Sequence, residues 1–139
     1  PPAFIGPERL TILHRKKGRK TVKERNDLFV ALKQVGLPLS PVLTGGKRRL
    51  SQEREQWASG CNFVAVRPGI IISYQRNEAT LKELEAAGFK IVPNQDFLAF
   101  DDWDESRGRV AITIPGSELV RGGGGPRCMT LPIRRADIW

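Results

Sequence analysis

Histidine and cysteine are scarce in this chain: one histidine, His14, and two cysteines, Cys61 and Cys128, in 139 residues. Two separated thiols do not make a disulfide framework, and one imidazole with two distant thiols has no metal-ligand spacing. Long apolar runs are missing too. None comes near the ~18–20 residues needed to cross a bilayer, and no apolar core with a small-residue cleavage site marks a secretory leader. Acidic residues are in deficit, 15 against 23 Lys plus Arg, which leaves a net charge of +8. What remains is ordinary: 40% apolar and 27% charged residues fit one compact globular body rather than a disordered chain. A membrane-spanning or secreted protein is excluded as an expectation, and a cytoplasmic one expected. The chain opens on Pro1-Pro2 with no methionine, as a piece cut from something longer would.

The positive charge is clustered. Arg15, Lys16, Lys17, Arg19, Lys20, Lys23 and Arg25 face one acid, Glu24, and Lys47-Arg48-Arg49 form a second patch. Such clusters are the footprint of an anionic partner or simply a solvated loop between a strand and a helix. Neither patch has interleaved aromatics for base stacking, so a loop is expected and nucleic acid is not.

Hydrophobic spacing sets out the elements. Arg9–His14 is β-prone. Leu28, Ala31, Leu32 and Val35 form a helical stripe, with Asn26 placed as N-cap, Asp27 favouring the positive end of the helix dipole and Gly36 at the C′ position. A short β-prone piece surrounds Val42 and Leu43, before Thr44-Gly45-Gly46. Asn62–Val66 and Ile70–Tyr74 read as strands joined by Arg67-Pro68-Gly69, a turn in which Pro fixes φ and Gly takes φ > 0. Asn77 opens a second helix that Gly88 closes, followed by a strand at Ile91-Val92 and another at Val110–Ile114. Between Phe97 and Arg107 an acidic loop is expected. Its Asp101-Asp102-Trp103-Asp104-Glu105 lacks the EF-hand spacing and glycine.

The two helices are alike in setting. Arg25-Asn26-Asp27 recurs as Arg76-Asn77-Glu78 51 residues on, and Gly36-Leu37 as Gly88-Phe89 52 residues on. A period near 50 with a strand–helix–strand unit predicts modules of a larger array.

The richest stretch runs from Pro115 to Pro132. Four consecutive glycines, Gly122 to Gly125, are costly to order and occur where backbone must approach a ligand or move. No Lys-Ser/Thr follows them, which rules out a phosphate-binding P-loop. Cys128 stands just beyond, beside Arg127 and near Arg121, and neighbouring cations favour a reactive thiolate. The residues alone leave Cys128 open between a nucleophile and a small buried hydrophobe; Cys61, ahead of an apolar strand, is expected to be buried.

Ser117-Glu118-Leu119, Arg121-Gly122, the glycines, Arg127-Cys128-Met129-Thr130 and Pro132-Ile133 together resemble the C-terminal signature of the bacterial arginine deiminases. Upstream, Thr44-Gly45-Gly46, Arg54-Glu55-Gln56-Trp57, Asn62, Val66-Arg67-Pro68-Gly69, Tyr74 and Arg76-Asn77 extend the likeness over nearly the whole chain. The resemblance implies an α/β fold of the pentein type, a five-module α/β propeller. This chain would form about two ββαβ modules of it, roughly 1–60 and 61–139. It implies hydrolysis of L-arginine to L-citrulline and ammonia, without cofactor or metal, through a covalent intermediate on Cys128. Gly122 and Arg121 would serve the substrate's amino-acid end, under a glycine-rich loop that opens and closes.

Two positions depart from the family's pattern. Gly123 stands where many members carry an arginine. His14 is followed by Arg15-Lys16-Lys17 and does not match the family's His-Leu-Asp motif. The expectation is therefore a portion that holds the nucleophile but not the acid/base, inactive until an N-terminal segment of the same enzyme supplies it. Faces left bare by missing modules would be covered by that segment or by a second copy. The alternative is a non-catalytic α/β binding module whose basic face takes an anionic partner.

Overall fold

The computed structural model describes residues 11–98 and 108–134. The chain is mixed α/β and divides between Pro41 and Val42 into two compact units.

In the first unit, β1 (Ile12–His14) pairs antiparallel with β2 (Lys23–Arg25), in the register Ile12↔Arg25 and His14↔Lys23. Helix α1 (Leu28–Gln34) follows. Its N-cap is Asp27, whose side chain accepts the Val30 N–H at 2.9 Å, so the cap falls one residue after Asn26. Gly36 takes φ +87°, as the C′ position requires. The basic run is thus not wholly loop, because its last three residues form β2.

The second unit holds a four-stranded sheet in the order β3-β4-β6-β5. β3 (Val64–Arg67) runs antiparallel to β4 (Ile70–Tyr74) through the expected tight turn, where Gly69 has φ +82°. β4 and β5 (Phe89–Pro93) both pair parallel to β6 (Arg109–Ile114). Alternation along these strands gives the sheet two apolar faces. One carries Ile71, Ala111, Phe89 and Ile91 beneath Leu81 and Leu84 of α3 (Glu78–Ala86). The other gathers Ile70, Val92, Val110 and Ile112, with Ile72 and Phe97 against them. Phe97 belongs to a short helix, α4 (Asn94–Leu98), which runs into the start of the stretch expected as an acidic loop. Residues Asp101–Glu105 lie outside the described residues.

A second helix the apolar spacing does not reveal spans Arg49–Trp57; with it inserted, the helices are α1, α2 (Arg49–Trp57), α3 and α4 in chain order. Its buried residue is an acid. Glu55 is fully buried, and its carboxylate accepts Ala79 N–H at 2.9 Å, Thr80 N–H at 2.8 Å and the Thr80 hydroxyl at 2.7 Å. Arg54 donates to it as well, at 2.9 Å. Glu55 therefore caps the first turn of α3 from another helix, satisfying N–H groups that have no partner within α3. Burial pushes its carboxyl up, but these hydrogen bonds outweigh burial and leave it below the ordinary value.

No strand forms around Val42 and Leu43, and the same knot explains the Thr44-Gly45-Gly46 that follows. Gly45 N–H donates to the Thr80 hydroxyl at 2.8 Å, and a Cβ on Gly45 would run into the Gln52 backbone. Asn77, the N-cap of α3, makes no capping bond and instead donates Nδ2 to the Ala58 carbonyl at 3.1 Å. Among the described residues no helix is long and apolar enough to cross a membrane.

Candidate functional site: an exposed thiol at the sheet edge

The antiparallel pairing of β3 with β4 brings the start of β3 beside the end of β4, where β6 also ends. Asn62 precedes β3, and the chain leaving β6 returns there through two 3₁₀ turns, Leu119–Gly122 and Pro126–Met129. Two segments 66 residues apart thus meet at the carboxyl edge of the parallel strands, the usual place for function in such sheets.

There Asn62 Nδ2 donates to Cys128 Sγ at 2.9 Å, and the same side chain's Oδ1 accepts the Arg127 N–H at 3.0 Å. The second bond fixes which way the amide faces, so that its NH₂ points at sulfur. Cys128 is exposed and available to a ligand, which excludes the buried-hydrophobe alternative. Its thiol lies below the ordinary value. The Gly125 backbone hydrogen bond contributes most, the Asn62 amide next, and Arg127 last. This order corrects the expectation that flanking cations activate the thiol. Arg127 directs its guanidinium to the Thr130 carbonyl at 3.0 Å, and Arg121 pairs with Glu118 at 3.2 Å. Cys61, expected to be buried, is exposed as well.

Three of the four glycines have physical reasons. Gly125 lies so close to Asn62 that a Cβ would sit 2.5 Å from the Asn62 Cβ and 2.8 Å from its Cγ. Gly124, at φ +83°, leaves room for Cys128, whose Cβ a new methyl would meet at 3.1 Å. Gly123 adopts φ 79° and ψ 160°, a region essentially reserved for glycine, so an arginine at this position would require a different loop. Gly122 and Arg121 lie in the preceding 3₁₀ turn, both exposed. Among the described residues no hydrogen bond or ion pair joins either to Cys128.

Tyr74, which ends β4, supports the site from beneath. It is buried, and a Cβ on Gly116 would collide with its ring, 2.6 Å from Cε1, so Gly116 lets the chain cross directly over it. Burial pushes the Tyr74 phenol up, and the nearby Cys128 thiolate adds to the shift. Asn62 and Tyr74 are matched by motif in the sequence, but no local spacing gives either a part in the site.

The Gly125 contact makes a specific prediction. Gly125→Ala displaces Asn62, removes its bond to sulfur and raises the Cys128 thiol toward its ordinary value of about 8.5. Iodoacetamide alkylation followed by peptide mass spectrometry at neutral pH should show Cys128 slowed by about three- to tenfold, with Cys61 unchanged as the internal standard. Equal rates in the two proteins would remove the Asn62 bond from the account.

A solvent-facing, hydrogen-bonded thiol at the carboxyl edge of parallel strands is an arrangement suited to a cysteine-nucleophile enzyme on an α/β scaffold. The chain belongs to the arginine deiminase family, whose model matches residues 6–135. It is 36% identical over 123 residues to the arginine deiminase of Mycoplasma capricolum subsp. capricolum, covering 88% of this chain and 25% of that protein. Identity to the arginine deiminase of Streptococcus agalactiae serotype Ia is 36% over 118 residues, 84% of this chain and 24% of the relative. The Streptococcus pneumoniae enzyme (strain Hungary19A-6) is 36% identical over 121 residues, 86% of this chain and 25% of the relative. The chain thus spans about a quarter of the length of these relatives.

Proposed function

We propose that this chain is the nucleophile-bearing portion of an enzyme that hydrolyses L-arginine to L-citrulline and ammonia. The observation that carries the proposal is the lowered thiol of Cys128, exposed and held by Asn62 and the Gly125 backbone, in a chain of this family. The thiolate attacks the guanidinium carbon, that carbon's bond to one terminal nitrogen breaks, and the nitrogen leaves as ammonia with a proton from a general acid. Water then adds to the S-linked amidine carbon, the C–S bond breaks, and citrulline leaves with the thiolate restored. Asn62 acts as a positioning residue that holds the thiolate in line. Gly122 and Arg121 serve the substrate's amino-acid end, and the glycine loop moves over it.

The chain's one histidine, His14, does not match the family's acid/base motif, so the proton donor and the carboxylates for the guanidinium come from an N-terminal segment of the same enzyme. No cofactor is required. The fold is of the pentein type, with the chain supplying about two of five modules, roughly 1–60 and 61–139, in a cytoplasmic enzyme. An apolar groove of about 560 Å³ along Val66, Ile70, Ile72, Phe97 and Ile112 supports a covering segment or second copy on that face of the sheet.

Colorimetric assay of citrulline tests this. Residues 1–139 alone should give none, and mixing with the upstream segment should restore it. Turnover by the isolated chain would overturn the assignment of the missing groups.

A further inference from the structure

The basic run enters none of this chemistry, yet it is organised. Strand alternation puts His14, Lys23 and Arg25 on one face of the β1–β2 hairpin, with Glu24 on the other. The turn at its tip folds Lys16 and Arg19 toward each other: Arg19 N–H donates to the Lys16 carbonyl at 3.0 Å, and Gly18 takes φ +79°. These five basic side chains line one cavity of about 480 Å³. Thr21 and Gln34 also line it and add neutral donors. Among the described residues no carboxylate lines it, and the nearby Asp27 is committed to the Val30 N–H. Arg25 Nε is buried there without a hydrogen-bond partner among the described residues, a donor open to a ligand.

We propose that this cavity binds a small oligophosphate anion through its phosphate groups. Four permanent cations, with no carboxylate among the described lining residues, make a strongly positive concavity, and a guanidinium fork fits phosphate oxygens in pairs. The volume falls within the range of small-molecule sites, about 300–1,000 Å³. Among the described residues no aromatic side chain lines it, so the phosphates and not a base are recognised, and single-stranded nucleic acid is the poorer fit.

Isothermal titration of the full protein with inorganic pyrophosphate, in about 0.15 M salt, tests the site. Submillimolar binding is expected. The double variant Lys23→Gln/Arg25→Gln should weaken it by about tenfold or more, and Lys16→Gln, in the exposed turn, by about threefold. Lys33→Gln/Lys90→Gln removes the same charge elsewhere and should leave binding within about twofold of the unsubstituted protein. Absence of pyrophosphate binding, equal losses in the two double variants, or an unaffected Lys16→Gln would each overturn the proposal. So would tighter binding of a short oligonucleotide that pyrophosphate does not displace. Heat of binding is read without any turnover, so failure here is distinct from failure of the deiminase assignment.

Discussion

Cys128→Ala in the full-length enzyme is expected to abolish citrulline formation, with kcat falling by about 10⁴-fold or more. The size follows from covalent catalysis: without the Cys128 sulfur, water must attack a resonance-stabilised guanidinium directly. Substrate affinity should change little, because the methyl group leaves the surrounding loop unaltered. Cys128→Ser should be nearly as inactive. Asn62 and the Gly125 backbone lower a thiol, which already ionises far more readily than a serine hydroxyl. Steady-state kinetics beside a thermal melt separates chemistry from folding, since an exposed side chain contributes little to stability.

Glu55→Ala is expected to destabilise the unit beginning at Val42 by about 3–5 kcal/mol, the loss typical of breaking a buried charged network. It leaves the part-buried Ala79 N–H and the buried Thr80 N–H and hydroxyl short of their acceptor. Glu55→Gln should cost less, since one oxygen still accepts while the NH₂ now opposes donors. The pH dependence carries a definite sign. The folded carboxyl lies below its unfolded value of about 4.3, so its stabilisation is full above that pH. It fades as pH falls through the lower folded value. Chemical denaturation of Glu55→Gln should therefore show a flatter loss of stability in acid than the unsubstituted protein.

The sequence was legible where burial is apolar and local. Ile70–Tyr74 and Val110–Ile114 are hydrophobic runs between turn residues, and both are strands in the sheet. Gly88, at φ +87°, closes α3 as its type requires, and Asn77 marks the start of α3 although Glu55 does the capping. Helix α2 escapes the same reasoning, because its sequence Arg-Leu-Ser-Gln-Glu-Arg-Glu-Gln-Trp has no apolar stripe and its buried anchor is a carboxylate. β2 is hidden for a related reason: Lys23-Glu24-Arg25 has no apolar residue, and only register against β1 makes it a strand. At the site, the glycines and Cys128 are conspicuous in the chain. The partner that positions the thiol is not, since Asn62 lies 66 residues away and only the sheet brings it near. Flanking arginines mislead in turn. Arg127 adjoins Cys128 and Arg121 lies just before the glycines, but their guanidinium groups point to Thr130 and Glu118.

The decisive measurement is peptide mass spectrometry on the full-length enzyme, acid-quenched during turnover of arginine, with Cys128→Ala as the blank. An amidine adduct confined to the peptide containing Cys128 is the expected result. An adduct on Cys61 instead, or active turnover with Cys128 never modified, would contradict the assignment of this thiol as the attacking group.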